Sequence, residues 1–169
     1  GKALALAGGV AMAATLGVSS AQADPFTFRI AAGHPSAPLA TVNQLNKTFV
    51  PNVTKRVGAE TSHKVRFIEG YGGTIANLFE VLESTQKGLV DFGAMCSCFE
   101  PTKLFVHNIN YFMPFISGDP HIMGPTMRQV HKEFDYFSTV FSENYGQIYL
   151  GGGAFDDYGL GTKFPWTRM

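Results

Sequence analysis

Apolar and polar positions repeat with two different periods along the chain. In residues 26–31 (FTFRIA) they alternate, as in a half-buried strand, and three more short segments are strand-like: 64–68 (KVRFI), 89–96 (LVDFGAMC) and 147–150 (QIYL). Between the strands, apolar side chains recur at steps of three and four, which is the spacing of one helix face. In the first such helix they are Leu39, Val42, Leu45, Phe49, Val53 and Val57. This order of elements predicts an α/β fold with a mainly parallel sheet flanked by helices.

Proline, glycine and capping residues suggest where the helices begin, bend and end. Pro51 removes a backbone donor and is expected to kink the first helix. After the turn at residues 70–74, Thr74 is expected to cap a second helix and Gly88 to follow its last turn. Glu83 and Lys87 have the i,i+4 spacing of a helical ion pair.

Helical spacing also appears in the second half of the chain. Residues 100–107 are predicted to be helical, and residues 123–145 are predicted to form one longer helix. Its buried face is expected to carry Met127, Val130, Phe134, Phe137 and Phe141. Gly146 is expected to end it.

The first residues have the layout of an export signal. Residues 3–18 are uncharged and apolar, Lys2 precedes them, and residues 19–23 (SSAQA) are small or polar. Ala21 and Ala23 suit the small-residue positions before a cleavage site, so residues 1–23 are predicted to be a cleaved signal peptide and Asp24 the mature N-terminus. A membrane anchor would need about 20 apolar residues. We therefore expect a bacterial protein exported to the periplasm.

Charge and cysteine content narrow the function classes. Lys2 is the only charged residue in the signal segment, so the mature chain has a net charge of about −1. This near-neutral balance argues against a nucleic-acid partner. Cys96 and Cys98 are the only cysteines, too few for a disulfide framework. A bridge between them is possible but strained, and two reduced, packed thiols are the favoured expectation.

The motifs occur in an order that resembles the solute-binding proteins of TRAP-type organic-acid transporters (the DctP-like family). After the signal come FTFRIAAGHP, a long helix, and a strand ending in a Gly-rich turn at residues 70–74. A Q-x-G-x-x-D helix end follows at Gln86–Asp91, with the small-residue run FGAM after it. An aromatic MPF segment and QIYLGGGAFDDYGLGTK complete the order.

The resemblance implies two α/β lobes that close on a small organic acid anion and deliver it to TRAP membrane subunits. Residues 24–150 would form an incomplete first lobe of the periplasmic-binding-protein type, and residues 151–169 the hinge-crossing strand and the start of the second lobe. The family's carboxylate-clamping arginine would lie beyond Met169, which implies a chain truncated before the second lobe. An arginine suits that role because its guanidinium pairs bidentately with a carboxylate.

Ligands of doubly wound sheets bind outside the carboxyl ends of the strands, and four such ends are predicted here. The turn at residues 70–74 is the clearest, because glycine lets the backbone approach a ligand and N–H groups at a helix N-terminus attract anions. The candidate ligand-binding residues are His34, Tyr71, Gly72, Gly73, Thr74, Met95, Cys96, Ser97, Phe155, Asp156 and Tyr158.

Structural roles compete with ligand binding at these positions. A Gly-rich turn is also needed wherever the backbone takes positive φ. His34 is equally compatible with an exposed loop, Tyr71 and Phe155 with a core, and Asp156 with a solvated hinge. The sequence leaves these alternatives open.

Other function classes are less well supported. A hydrolase using Cys96 would need a histidine beside it, and no catalytic motif places one there. The pattern of Cys96, Cys98, His121 and His131 lacks zinc-site spacing, so we predict neither a metal nor a cofactor. An exported ligand-binding module of another class, sensory or ABC-type, is the main alternative.

Overall fold

The computed structural model describes residues 25–37, 39–113, 116–153 and 163. Three parallel strands form its sheet: β1 (Phe26–Ala32), β2 (Val65–Tyr71) and β3 (Phe92–Ala94), in the order β2-β1-β3. Helices flank the sheet, so the predicted α/β fold with a parallel sheet is confirmed at that level. The predicted signal segment lies outside the described residues, as does all of 151–169 except 151–153 and 163.

The register makes the three strands end side by side. β1 pairs with β2 over its whole length, and its last residue, Ala32, lies opposite Tyr71. On its other side Ala32 lies opposite Ala94, the last residue of the short strand β3. The segments that follow the strands therefore leave the sheet at one common edge.

The first crossover is helical and contains Pro51. It consists of α1 (Ala40–Gln44), a π-helical turn (Leu45–Phe49) and α2 (Val50–Glu60). The chain remains helical at Pro51, which lies in the first turn of α2. Proline is tolerated in the first turn of a helix. The wider π-helical turn before α2 accommodates the absence of a backbone N–H at Pro51.

Much of the aromatic content covers one face of the sheet. The parallel register places Phe28 opposite Phe67, and Phe92 is on the same face of the next strand. Ring centroids lie 5.9 Å apart for Phe28–Phe67, 5.5 Å for Phe28–Phe92 and 5.7 Å for Phe67–Phe92. Phe49 from the π-helical turn packs on Phe67 and Phe92. These contacts attach the first crossover to the sheet.

The opposite face is covered by α3 (Val81–Gln86), whose Val81 joins Ala31, Ala76 and Val90 in a buried cluster.

The predicted helix start at Thr74 is wrong. Asn77 accounts for the late start, because its side-chain oxygen accepts the N–H of Phe79 at 3.0 Å and its carbonyl accepts that of Glu80. Such local bonds compete with a helix.

In the described residues after the sheet, three α-helices form: α4 (Ile109–Phe112), α5 (Pro120–Glu133) and α6 (Tyr136–Tyr145). The single helix predicted over residues 123–145 is wrong, because the chain breaks at Phe134, which is extended and exposed. The predicted helix over residues 100–107 is reduced to turns and a 3-10 segment (Phe105–Asn108).

The break after α5 lets α6 pack independently. Val140 and Phe141 of α6 contact Leu82 of α3 and Leu104 in a second buried cluster. Gly146 ends α6 in the left-handed conformation, with φ +63°, as predicted.

The fourth strand predicted at residues 147–150 is not a strand. Its alternation is real, since Ile148 is 84% exposed while Tyr149 is packed inward. However, Gln147 bonds to the carbonyls of Leu82 and Phe141, and no ladder forms in this described segment. The alternation therefore reflects packing on the helices.

Candidate functional site

Loops from all three strands meet at the carboxyl end of the sheet. We call this surface the carboxyl edge and define it by residues 33–37, 71–77 and 95–99. The His34 carbonyl accepts the Gly72 N–H at 2.8 Å, which joins the loops after β1 and β2. The His34 ring centroid lies 5.3 Å from that of Phe99, which joins the loops after β1 and β3. Candidate residues from three distant segments are thereby brought together.

Gly33 shows how closely these loops approach one another. A Cβ at Gly33 would lie 2.5 Å from the Cα and 2.6 Å from the backbone nitrogen of Leu78. Backbone atoms cannot move aside as a flexible side chain can. Glycine is therefore required at the start of this loop by close contact.

The Gly-rich turn after β2 is built by internal hydrogen bonds. Gly72 and Gly73 have φ of +70° and +80°, which only glycine adopts without strain. Gly73 donates its N–H to the Ala32 carbonyl at 3.3 Å, while Gly72 donates to His34. The Thr74 hydroxyl donates to the Tyr71 carbonyl at 3.2 Å.

These bonds change the chemistry expected of the turn. The N–H groups of Gly72 and Gly73 are already paired within the chain, and α3 begins only at Val81. The expectation that this turn presents a helix N-terminus to an anion is therefore wrong. Contact of these residues with a ligand remains a prediction.

Tyr71 is held by a polar group on the same strand. Its hydroxyl donates to Glu69 Oε2 at 2.9 Å, and Asn46 donates to the same oxygen at 2.8 Å. Burial, followed by the hydrogen bond to the Glu69 carboxylate, raises the pKa of Tyr71 above its usual range. The hydroxyl is thus a fixed neutral donor, and the half-buried ring forms one side of the carboxyl edge.

Two candidate residues after β3 mainly build the loop. Met95 packs against both buried clusters. The Ser97 hydroxyl donates to the His107 carbonyl at 3.1 Å, and the Asn108 side chain donates to the Ser97 carbonyl at 3.0 Å. These contacts fix the 3-10 turn Ser97–Phe99 against the helical layer.

Cys96 and Cys98 form a disulfide, with their Cα atoms 5.2 Å apart. The favoured expectation of two reduced thiols is therefore wrong. The shared direction of side chains at i and i+2 was the available signal, and the 3-10 turn between the cysteines brings their sulfurs together. In this state Cys96 is not a free nucleophile.

Phe79 and Phe99 contribute aromatic surface that the sequence did not assign to the site. Phe99 packs edge-on against Phe79, with ring centroids 5.3 Å apart, and also contacts His34. Phe79 is 65% exposed. Its exposure and its contact with Phe99 place it beside the carboxyl edge. The remaining candidates, Phe155, Asp156 and Tyr158, lie outside the described residues.

The Q-x-G-x-x-D motif has a structural role. Asp91 accepts the backbone N–H of Arg29 at 2.7 Å and its Nε at 3.2 Å, and the Arg29 guanidinium donates to the Gly88 carbonyl at 2.8 Å. The Arg29 backbone N–H, together with its guanidinium, holds the pKa of Asp91 below its usual value against the opposing effect of burial. The motif therefore attaches the start of β3 to β1.

Glu83 pairs across elements and not along its helix. It forms an ion pair with Lys103, which also contacts the buried Glu100 at 3.0 Å. Hydrogen bonding to Lys103 lowers the pKa of Glu83. The expected pair with Lys87 is replaced by this long-range contact.

Two histidines form a separate cluster in the helical layer. His131 stacks on Tyr149 with ring centroids 4.4 Å apart. The ring centroids of His107 and His131 are 5.7 Å apart. His107 Nε2 is 2.7 Å from the Phe137 carbonyl, while both Nδ1 atoms are buried without a partner in the described structure. Burial lowers the pKa of both imidazoles. The cluster therefore favours neutral histidines.

Among the described residues, no group of three histidine, cysteine or acidic side chains is arranged to hold a metal ion. The same residues include no helix of the length and apolarity needed to cross a bilayer. Comparison of the chain with family models, curated proteins and solved structures finds no match.

Proposed function

We propose that this protein is a periplasmic solute-binding protein that captures a small organic acid anion for a TRAP-type membrane transporter. The proposal starts from the order of the sequence motifs, including the Gly-rich turn at residues 70–74 and the Gln86–Asp91 helix end. In this proposal the described residues belong to a periplasmic-binding-protein-like lobe, and a second lobe supplies the opposite side of the site.

The carboxyl edge is the single observation that carries the proposal. In the order β2-β1-β3, the crossover from β1 to β2 and the crossover from β2 to β3 run in opposite directions across the sheet, and helices cover both of its faces. Ligands of doubly wound sheets bind at such a point, outside the carboxyl ends of the strands. His34 after β1 and Phe99 after β3 are in contact there.

The loops of the edge carry no acidic side chain of their own, and the neighbouring Glu69 carboxylate accepts hydrogen bonds from Tyr71 and Asn46. Residues 33–37, 71–77 and 95–99 contain no Asp or Glu, and His34 is their one basic residue. The imidazole can donate a hydrogen bond to a carboxylate, and Phe79 and Phe99 can cover the apolar part of a small acid. The expected arginine of a second lobe would complete the charge pairing.

Titration of isotope-labelled residues 24–169 with small mono- and dicarboxylates tests the proposal. Binding proteins close two lobes around the ligand, so one lobe should bind only at about millimolar concentration or more weakly. Saturable NMR shift changes are expected at the Gly72 and Gly73 amides and at the His34 ring. Shift changes confined to another surface, or none at saturating ligand, would refute it.

Two histidine variants separate specific binding from a general charge effect. His34→Phe removes the imidazole donors and is expected to weaken binding by roughly two- to tenfold, as for the loss of one hydrogen bond. His63→Phe is the matched control, because His63 is exposed before β2 at the opposite end of the sheet and contacts only Phe26 among the described rings. Equal effects of both substitutions would count against a site at His34. Tight binding to this lobe alone would argue against a two-lobed site.

A further inference from the structure

The Cys96–Cys98 disulfide stands at the start of the loop after β3, and only Ser97 separates its cysteines. A disulfide stabilises a fold less when it closes a shorter loop. The Cys96–Cys98 bond closes a loop with a single intervening residue. A large contribution to folding therefore does not explain it.

The surrounding contacts hold the turn without the disulfide. Ser97 donates to the His107 carbonyl, and Asn108 donates both to the Ser97 carbonyl and, at 3.0 Å, to the Leu104 carbonyl. Because these bonds do not involve sulfur, the two cysteines would remain close together after reduction. Both cysteines are half-buried, so the bond is not sealed in the core.

The two sulfurs have different surroundings. Cys96 Sγ accepts the backbone N–H of Cys98 at 3.4 Å, and the Tyr111 hydroxyl lies 3.8 Å from the same sulfur. Donors stabilise a thiolate more than a disulfide sulfur, which makes Cys96 the better leaving group in thiol–disulfide exchange. Tyr111 is itself 49% exposed, so this side of the bond is close to solvent.

We propose that Cys96–Cys98 is a thiol–disulfide exchange site that accepts two electrons from a dithiol partner. A thiolate of the dithiol attacks Cys98 Sγ, the Cys96–Cys98 bond breaks, and its electron pair remains on Cys96 Sγ. The second dithiol sulfur then attacks the first, and Cys98 Sγ leaves as a thiolate. The partner becomes a disulfide, and its two protons end on the two cysteines. Both cysteines lie within the carboxyl edge, but the exchange step does not require the proposed ligand.

Reduction by dithiothreitol tests the proposal. Rapid alkylation followed by mass spectrometry measures how fast the Cys96–Cys98 bond opens. The air-oxidised protein is expected to contain the intramolecular bond and to open while its circular dichroism stays native. Two free thiols in the oxidised protein would overturn the proposal. A bond that opens only when the chain unfolds would also overturn it.

Tyrosine variants test the role assigned to the neighbouring hydroxyl. Tyr111→Phe is expected to slow opening by about two- to tenfold, which corresponds to the loss of one hydrogen bond to the leaving sulfur. Tyr136→Phe is the control, since Tyr136 is exposed at the start of α6 and should not change the rate. An unchanged rate in Tyr111→Phe would remove the tyrosine from the mechanism and contradict the assignment of Cys96 as the stabilised sulfur.

Single-cysteine variants test the asymmetry directly. Cys98→Ser leaves Cys96 with its two donors, whereas Cys96→Ser leaves Cys98. The pH dependence of alkylation is expected to show a lower pKa for the remaining Cys96 than for the remaining Cys98. Equal values, or a lower value for Cys98, would contradict the proposed direction of exchange.

Discussion

Two glycine-containing loops belong to the same sequence resemblance but differ in what they contact. In the Gly88–Asp91 loop, the Gly88 carbonyl and the Asp91 carboxylate both accept hydrogen bonds from Arg29. The turn at residues 70–74 is also internally bonded, yet Gly72 and Gly73 are exposed and the turn lies beside His34. A motif that is easy to recognise can therefore hold strands together, while the proposed site lies elsewhere.

This difference explains why the better sequence signal gives the weaker functional information. In the Q-x-G-x-x-D segment, a left-handed glycine and an ion pair occur together directly before a strand. The carboxyl edge is assembled from three segments. Each segment contributes only a few residues, which are not distinctive in the sequence on their own. Substitutions in the two regions should therefore separate stability from ligand contact.

The largest expected effect is at Gly33. Gly33→Ala would place a methyl group against the Leu78 backbone and should destabilise the fold by about 3 kcal/mol or more. Gly58→Ala is the control, because nothing lies within 4 Å of its Cβ in α2, and it should stabilise by about 0.5–1 kcal/mol. Thermal unfolding followed by circular dichroism measures both. Similar melting temperatures for the two variants would show that the loops are not closely packed.

The next effect concerns the Arg29–Asp91 pair. Asp91→Ala removes acceptors for the Arg29 backbone and guanidinium and should cost about 1–3 kcal/mol. Arg56→Gln is the comparison, since the Arg56–Glu60 pair on α2 is well exposed and should have little effect. Urea unfolding measures the difference. Equal changes in the two variants would contradict a structural role for the motif.

Acid should reduce the contribution of Asp91. Its pKa is lower in the folded state than in the unfolded chain, so the unfolded state binds more protons between the two values. The stabilisation is full above the unfolded pKa, at about pH 4, and is lost as the pH falls through the folded pKa. The difference in unfolding free energy between the native chain and Asp91→Asn should therefore shrink in acid. A difference that stays constant to low pH would exclude this charge effect.

The smallest expected effects come from the left-handed glycines. Gly88→Ala meets nothing within 4 Å and Gly72→Ala meets Pro35 only at 3.6 Å or beyond, so each should cost about 1 kcal/mol of backbone strain. Their stabilities should be similar, but only Gly72→Ala should alter the NMR shifts induced by carboxylates. If Gly88→Ala alters them equally, the distinction between the two loops is wrong.

The sequence alone determined the α/β order, three of the four expected strands and the glycine that ends α6. These features depend on local periodicity and backbone conformation, which neighbouring residues specify. It also identified the strand ends that meet at the carboxyl edge, because parallel strands send their carboxyl ends in one direction.

Tertiary structure decided the features that depend on distant partners. Residues 147–150 alternate like a strand, but Tyr149 packs on His131 and Phe141 and not in a ladder. Glu83 has a helical neighbour of opposite charge, yet Lys103 reaches it from another segment. Cys96 and Cys98 bond because a 3-10 turn, fixed by Asn108, draws them together. Periodicity indicates which side chains are buried or paired in the fold. Only the tertiary structure determines which residue each of them contacts.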